Sequence, residues 1–206
     1  GVYVECEDGP YSWNRVRMPV SDGQKSWVRE WPESIDPRRV ALDTETHPTH
    51  DPRQMVNVAL GRQARQSTVS QWSNAYDANR AVSGWRNGSF MFHTDFEDAP
   101  WWEVDLGRAF PVDRIVVYNR QQGCFERART LSISLRADAE ASESMVYSSR
   151  DSFVGIPPGT PLVVTLGGRR ARFVRLQLHE RTALHLQQVE IFVQPRDYAR
   201  EIAQDD

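Results

Sequence analysis

Pro100-Trp101-Trp102-Glu103-Val104-Asp105-Leu106-Gly107 is the stretch whose reading decides the fold. Trp102, Val104 and Leu106 alternate with Trp101, Glu103 and Asp105, the period-two pattern of a strand with one face in a core. Proline opens the run and glycine closes it, as turn residues do at strand ends. The two tryptophans read as core and sheet support rather than ligand contacts. The same pattern returns at Val112 to Tyr118, Leu131 to Leu135, Leu162 to Leu166, Phe173 to Leu178 and Val189 to Val193. No long helical period interrupts these segments, so the expected fold class is all-β, a jelly-roll β-sandwich.

Working outward, residues 56–194 are expected to form the sandwich and residues 195–206 a tail, either a short helix or frayed. Residues 1–55 have a different texture. Two strand-like pieces, Val2 to Cys6 and Trp13 to Met18, flank the turn signal Glu7-Asp8-Gly9-Pro10. Pro32, Pro37, Pro48 and Pro52 then punctuate a polar stretch. This part reads as an N-terminal extension of mixed strand and loop, packing on or leading into the sandwich.

The chain has 206 residues, 39% hydrophobic and 26% charged, with a net charge of -3. That composition suits a globular domain and gives no field that would favour nucleic acid. No apolar run approaches the ~18 residues of a membrane span, so membrane insertion is not expected. The first residues lack a basic region followed by an apolar stretch, so no signal peptide is read there. Cys6 and Cys124 are too few for a disulfide framework; they pair only if folding brings them together, and free thiols are the favoured reading.

Several segments resemble a known family. Asn57 to Ser67, Pro100 to Gly107, Ala171 to Leu176 and Leu184 to Ile191 are similar, in order, to the strands of discoidin domains, the coagulation-factor C-type fold. The spacing His93, 26 residues, Arg120, then Gln122 and Arg127 resembles the sugar motif of the F-type lectin (fucolectin-like) branch. That motif has Asp where Gln122 stands. The resemblance implies a non-catalytic carbohydrate-binding domain for fucose or another glycan, an accessory module of a larger glycan-active protein, in a secreted or cell-surface setting. The alternative is an assembly domain that has lost sugar binding and docks a partner domain through residues 1–55.

The resemblance assigns carbohydrate binding to His93, Arg120, Gln122, Arg127 and Trp72. Guanidinium groups offer fixed donors to ring oxygens and hydroxyls, and a neutral imidazole can donate or accept. Trp72, and Phe90, Met91 or Phe92, would cover the C–H face of a pyranose. Gln122 supplies a neutral amide instead of a carboxylate, so an acidic sugar fits the arginines as well as fucose does. The family's adjacent cysteines become Gly123-Cys124. Its structural calcium uses backbone carbonyls and two carboxylates, but Ser83 and Gln188 stand at those two positions, so no cofactor and at most weak calcium binding is expected.

The bland readings are that His93, Arg120 and Arg127 are surface residues and that His185 is a satisfied core histidine. Asp43 to Asp51 holds His47, His50 and three carboxylates, but it matches no closed zinc spacing and reads as a solvated linker. Cys124 beside Arg127 has no nearby His in sequence, so a catalytic thiol is not expected. No catalytic motif is present.

Overall fold

The computed structural model describes residues 55–149, 153 and 160–203, and the backbone of four short strands nearer the N-terminus. The latter form two antiparallel hairpins. One pairs β1 (Val2–Glu5) with β2 (Ser12–Val16), close to the two pieces expected there, and the other pairs β3 (Val20–Ser21) with β4 (Gln24–Lys25). Trp27, Trp31, Cys6 and the Asp43 to Asp51 segment lie outside the described residues.

The sandwich is built from β5 (Val56–Asn57), β6 (Gln63–Gln66), β7 (Phe92–His93), β8 (Glu97–Asp98), β9 (Trp101–Tyr118), β10 (Ser132–Arg136), β11 (Ser144–Ser148), β12 (Leu162–Gln177), β13 (Arg181–Thr182), β14 (His185–Leu186) and β15 (Gln188–Val193). The main sheet runs β11-β10-β12-β9-β15-β5, with β6 also on β9. Pairs expected as separate strands are fused: Trp101 to Leu106 and Val112 to Tyr118 are halves of β9, and Leu162 to Leu166 and Phe173 to Leu178 merge, to Gln177, in β12.

Fusion does not make one flat sheet. The β9–β12 register shifts between Thr165 and Arg169 and again between Ala171 and Phe173. Gly107, Gly167 and Gly168 stand there with φ of 85°, 62° and 89°, a region that side chains with a Cβ avoid. The first half of β9 pairs with β6 and the second with β15, so two strands serve both layers of the sandwich. Trp102, Val104 and Leu106 from one half and Val112, Ile115 and Val117 from the other enter a single core. Trp102 stacks on Phe92 and donates its indole N–H to the Ala78 carbonyl at 2.9 Å.

The outward face of the first half is held by one carboxylate. Glu103, 1% exposed, accepts from Arg65 at 2.6 Å on Oε1 and from Arg136 and Arg175 at 2.9 and 3.0 Å on Oε2. Trp101 lies between Arg65 and Arg175, with guanidinium carbons 5.5 and 4.4 Å from its ring, a supporting role as expected. The corresponding face of the second half carries Arg114, Val116, Tyr118, Glu190 and Phe192, all buried. Burial pushes the Glu190 carboxyl up to about 8, outweighing the opposite pull of Arg86 and the Tyr118 hydroxyl.

The tail contains a helix, α1 (Pro195–Ile202), with proline in its first turn, where a missing N–H costs nothing. It docks through Tyr198 stacked on Phe110 and through Glu201, which accepts from Arg170 at 2.6 Å. Cys124 is disulfide-bonded, which corrects its reading as a free thiol from cysteine count.

Two outcomes follow from the Glu103 cluster. Replacing Glu103 by Gln removes the shared charge and lowers stability by about 2 kcal/mol at neutral pH, read from urea unfolding. Despite burial, which raises it, the donated hydrogen bonds of Arg65 and Arg136 and the charge of Arg175 hold this carboxyl below its ordinary 4.5. Its contribution is therefore full above that value and is lost as pH falls through the folded-state pKa, so the gap between wild type and Glu103→Gln closes in acid.

Candidate functional site

One end of the sandwich gathers the sequence-derived residues. His93 ends β7, which is two residues long and pairs with β14 so that His93 stands opposite His185. The short strand is pinned from three directions. The His93 N–H donates to Ser73 Oγ at 3.3 Å, while its carbonyl accepts from the Ser70 N–H and the Gln66 amide, both at 3.1 Å. Ser73 in turn donates to Asp77 Oδ2 at 3.0 Å, and Asp77 also takes the Asn74 backbone and side-chain N–H groups. This polar knot fixes the loop that carries Trp72.

Trp72 and Phe90 both meet the His93 imidazole edge-on, at centroid distances of 5.4 and 5.2 Å. Phe92 belongs instead to the Trp102 stack. His93 Nδ1 is 2.6 Å from the Thr94 carbonyl. A carbonyl only accepts, so Nδ1 carries the proton and Nε2 presents a lone pair. Burial lowers the His93 pKa to about 4, with Arg120 and Arg127 adding to the effect, so the ring is neutral at physiological pH.

Arg120 follows the end of β9 directly, and its backbone N–H is held by Asn119 Oδ1 at 2.9 Å. It is 2% exposed and lies over the Phe90 ring at 5.0 Å. Its Nη2 donates to the Gln122 carbonyl at 2.6 Å, whereas Nε and Nη1 are buried with no partner. Burial and then the neighbouring Arg127 lower its pKa to about 10, still fully charged at neutral pH. Gln122 therefore acts on the site through its backbone, and its side-chain nitrogen lies 4.0 Å from where a Cβ on Gly88 would stand. Gly123 and Cys124, with φ of 73° and 52°, turn the chain into the 3-10 segment Phe125–Thr130, which carries the buried Arg127.

The structure thus brings His93, Arg120, Arg127 and Trp72 together, with Phe90 as a second wall. It also adds His185, which sequence reasoning had placed in the core. His185 is buried, but neither ring nitrogen has a partner, and its ring centroid is 5.1 Å from that of His93. Burial, reinforced by Arg120, keeps it neutral. The only sequence signal for this role is its place in the closing segment, since nothing in the chain announces the two-residue register of β7 and β14.

Behind the site, Gln188 occupies the position where the resembled family has a calcium-binding carboxylate. It is fully buried. With its amide oriented to satisfy both ends, the nitrogen donates to the Ala81 carbonyl at 3.2 Å and the oxygen accepts from the Gly84 N–H at 3.0 Å. Ser83 Oγ is used within its own turn, donating to the Arg80 carbonyl at 2.6 Å. Among the described residues, no group of three or more His, Cys, Asp or Glu side chains is placed to hold a metal ion.

Comparison with known proteins agrees with this architecture. A family model of the factor 5/8 type C group, described as a NedA-like, galactose-binding domain, matches residues 74–176, half of the chain. A fucolectin of Anguilla anguilla is 33% identical over 85 residues, covering 38% of this chain; the chain spans about half, 54%, of that relative's length. Among solved structures, the lectin domain of lectinolysin complexed with Lewis b antigen is 31% identical with a TM-score of 0.56, covering 66% of this chain and 96% of its own. A Streptococcus pneumoniae fucose binding module is 28% identical with a TM-score of 0.58, covering 67% and 95%. The order of strands, the shared core and the matched residues lead to one assignment: the chain belongs to the factor 5/8 type C, discoidin-like family of β-sandwich domains.

Proposed function

We propose that this domain binds a glycan, without catalysis, in the pocket of His93, Arg120, Arg127, Trp72 and Phe90. The observation that carries the proposal is Arg120, a fully buried guanidinium with two nitrogens left without partners. Buried donors are almost always satisfied, so an unfilled pair beside an imidazole lone pair marks a place for a ligand with both acceptors and a donor. A sugar hydroxyl is such a group, accepting from Arg120 while donating to His93 Nε2. Trp72 and Phe90 offer apolar surface for the C–H face of a pyranose. The likeness to eel fucolectin, the lectinolysin lectin domain and the pneumococcal fucose binding module supports the same reading.

We also propose that the fold is independent of calcium. The Gln188 amide bridges the Ala81 carbonyl and the Gly84 N–H, so a neutral donor meets a carbonyl of the segment where a cation would otherwise lie. A hard cation is held most strongly by anionic oxygen, which neither Gln188 nor Ser83 supplies. These residues do not fit the ion.

The binding proposal is tested on a glycan array with the intact chain. Saturable binding is expected, and Arg120→Ala or Arg127→Ala abolishes it while thermal unfolding remains cooperative; an array without any binder at millimolar sensitivity refutes it. The calcium proposal is tested by melting in calcium and in chelator, where the midpoint is unchanged. Gln188→Ala, which strands two buried backbone groups, lowers stability by about 1–3 kcal/mol whether or not calcium is present.

A further inference from the structure

We infer that the glycan taken by this pocket is anionic, a sugar carrying a carboxylate or sulfate beside its ring hydroxyls, rather than a neutral one. The inference rests on the glycan-binding proposal and narrows it to a chemical class.

Arg120 is 2% exposed, yet beyond the face of Phe90 its guanidinium makes one hydrogen bond, to a neutral acceptor, the Gln122 carbonyl. Its Nε and Nη1 groups have no partner, and among the described residues no carboxylate forms an ion pair with it. On the sheet faces several arginines are matched with acid: Glu103 holds Arg65, Arg136 and Arg175, Asp105 holds Arg172, and Glu201 holds Arg170, while buried Arg114 also keeps Nε and Nη2 without partners. An unpaired buried cation is costly to keep, and supplying its counter-charge is correspondingly favourable.

The surroundings deepen that imbalance. Arg127 adds a second positive charge felt by both Arg120 and His93. His93 and His185 are neutral and cancel nothing. Two carboxylates act on the site, Asp95 on His93 and Glu126 on Arg120, and each acts more weakly than Arg127 does on the same group. The pocket therefore presents positive potential with one fixed acceptor, His93 Nε2. A neutral sugar answers the acceptor but leaves the charge uncompensated. An anionic substituent on Arg120, with an adjacent hydroxyl donating to His93, answers both.

The test compares a methyl uronide with its own methyl ester, two ligands of nearly the same shape that differ in charge, alongside a sulfated galactoside, a sialoside and a methyl fucoside. Calorimetric titration of the intact chain is expected to give at least about tenfold tighter binding for the acid than for its ester. Uronide, sulfate and sialoside arms identify which anion fits. The preference shrinks as salt rises and is lost in Arg120→Gln, and Arg127→Gln narrows it should the first variant fold poorly. Equal binding of acid and ester, or tighter binding of the fucoside, overturns the anionic assignment and leaves the glycan proposal standing. No binding of any of these sugars overturns both.

Discussion

The antiparallel ladder between β9 and β12 carries both layers of the sandwich, and β10, β15 and β6 pair directly onto it. Each strand runs through one layer, turns a corner at glycine-permitted backbone and continues through the other. The inward residues of both halves can then share one core, and the outward residues of each half form separate faces. One face neutralises three arginines with Glu103. The end of β9 releases the chain at Tyr118, so Arg120 is delivered to the rim of the core with its direction already set by Asn119. A side chain held this way is fixed by the long ladder that precedes it.

Opposite Arg120, the imidazole is supplied by elements with almost no intrinsic stability. Strands of two residues, such as β7 and β14, do not persist alone. They are held by the Ser73–Asp77 knot, by Gln66 and by reciprocal hydrogen bonds between Thr94 and Leu184. The site thus combines one side chain fixed by a long ladder with another fixed by side-chain hydrogen bonds. Burial then sets the chemistry of both, keeping His93 neutral while Arg120 stays charged.

Much of the fold was legible in the sequence because alternation in stretches such as Trp102, Val104 and Leu106 reports a buried face directly. Fusion of two such stretches across Gly107 was not legible, since glycine at a strand end and glycine at a strand corner look alike. For the site, spacing located His93, Arg120 and Arg127, and position placed Trp72 beside them. It pointed to the Gln122 side chain, and the structure adds a contact of its carbonyl with Arg120. His185 is buried as its apolar neighbourhood implied, but sequence did not show that both its ring nitrogens lack partners. The Cys124 bond was not legible either, because pairing depends on proximity in space.

Glu190 has a consequence for the proton balance of folding. A carboxyl held near 8 in the fold and near its ordinary 4.5 when exposed binds a proton as the chain closes over it. Between those two values folding takes up hydrogen ion at this position, so this group's influence on the folding equilibrium weakens the native state as pH rises through that window. The formal charge of -3 counts Glu190 as ionised. At neutral pH the folded chain therefore carries one negative charge fewer at this position than its composition implies, and moves in an electric field accordingly.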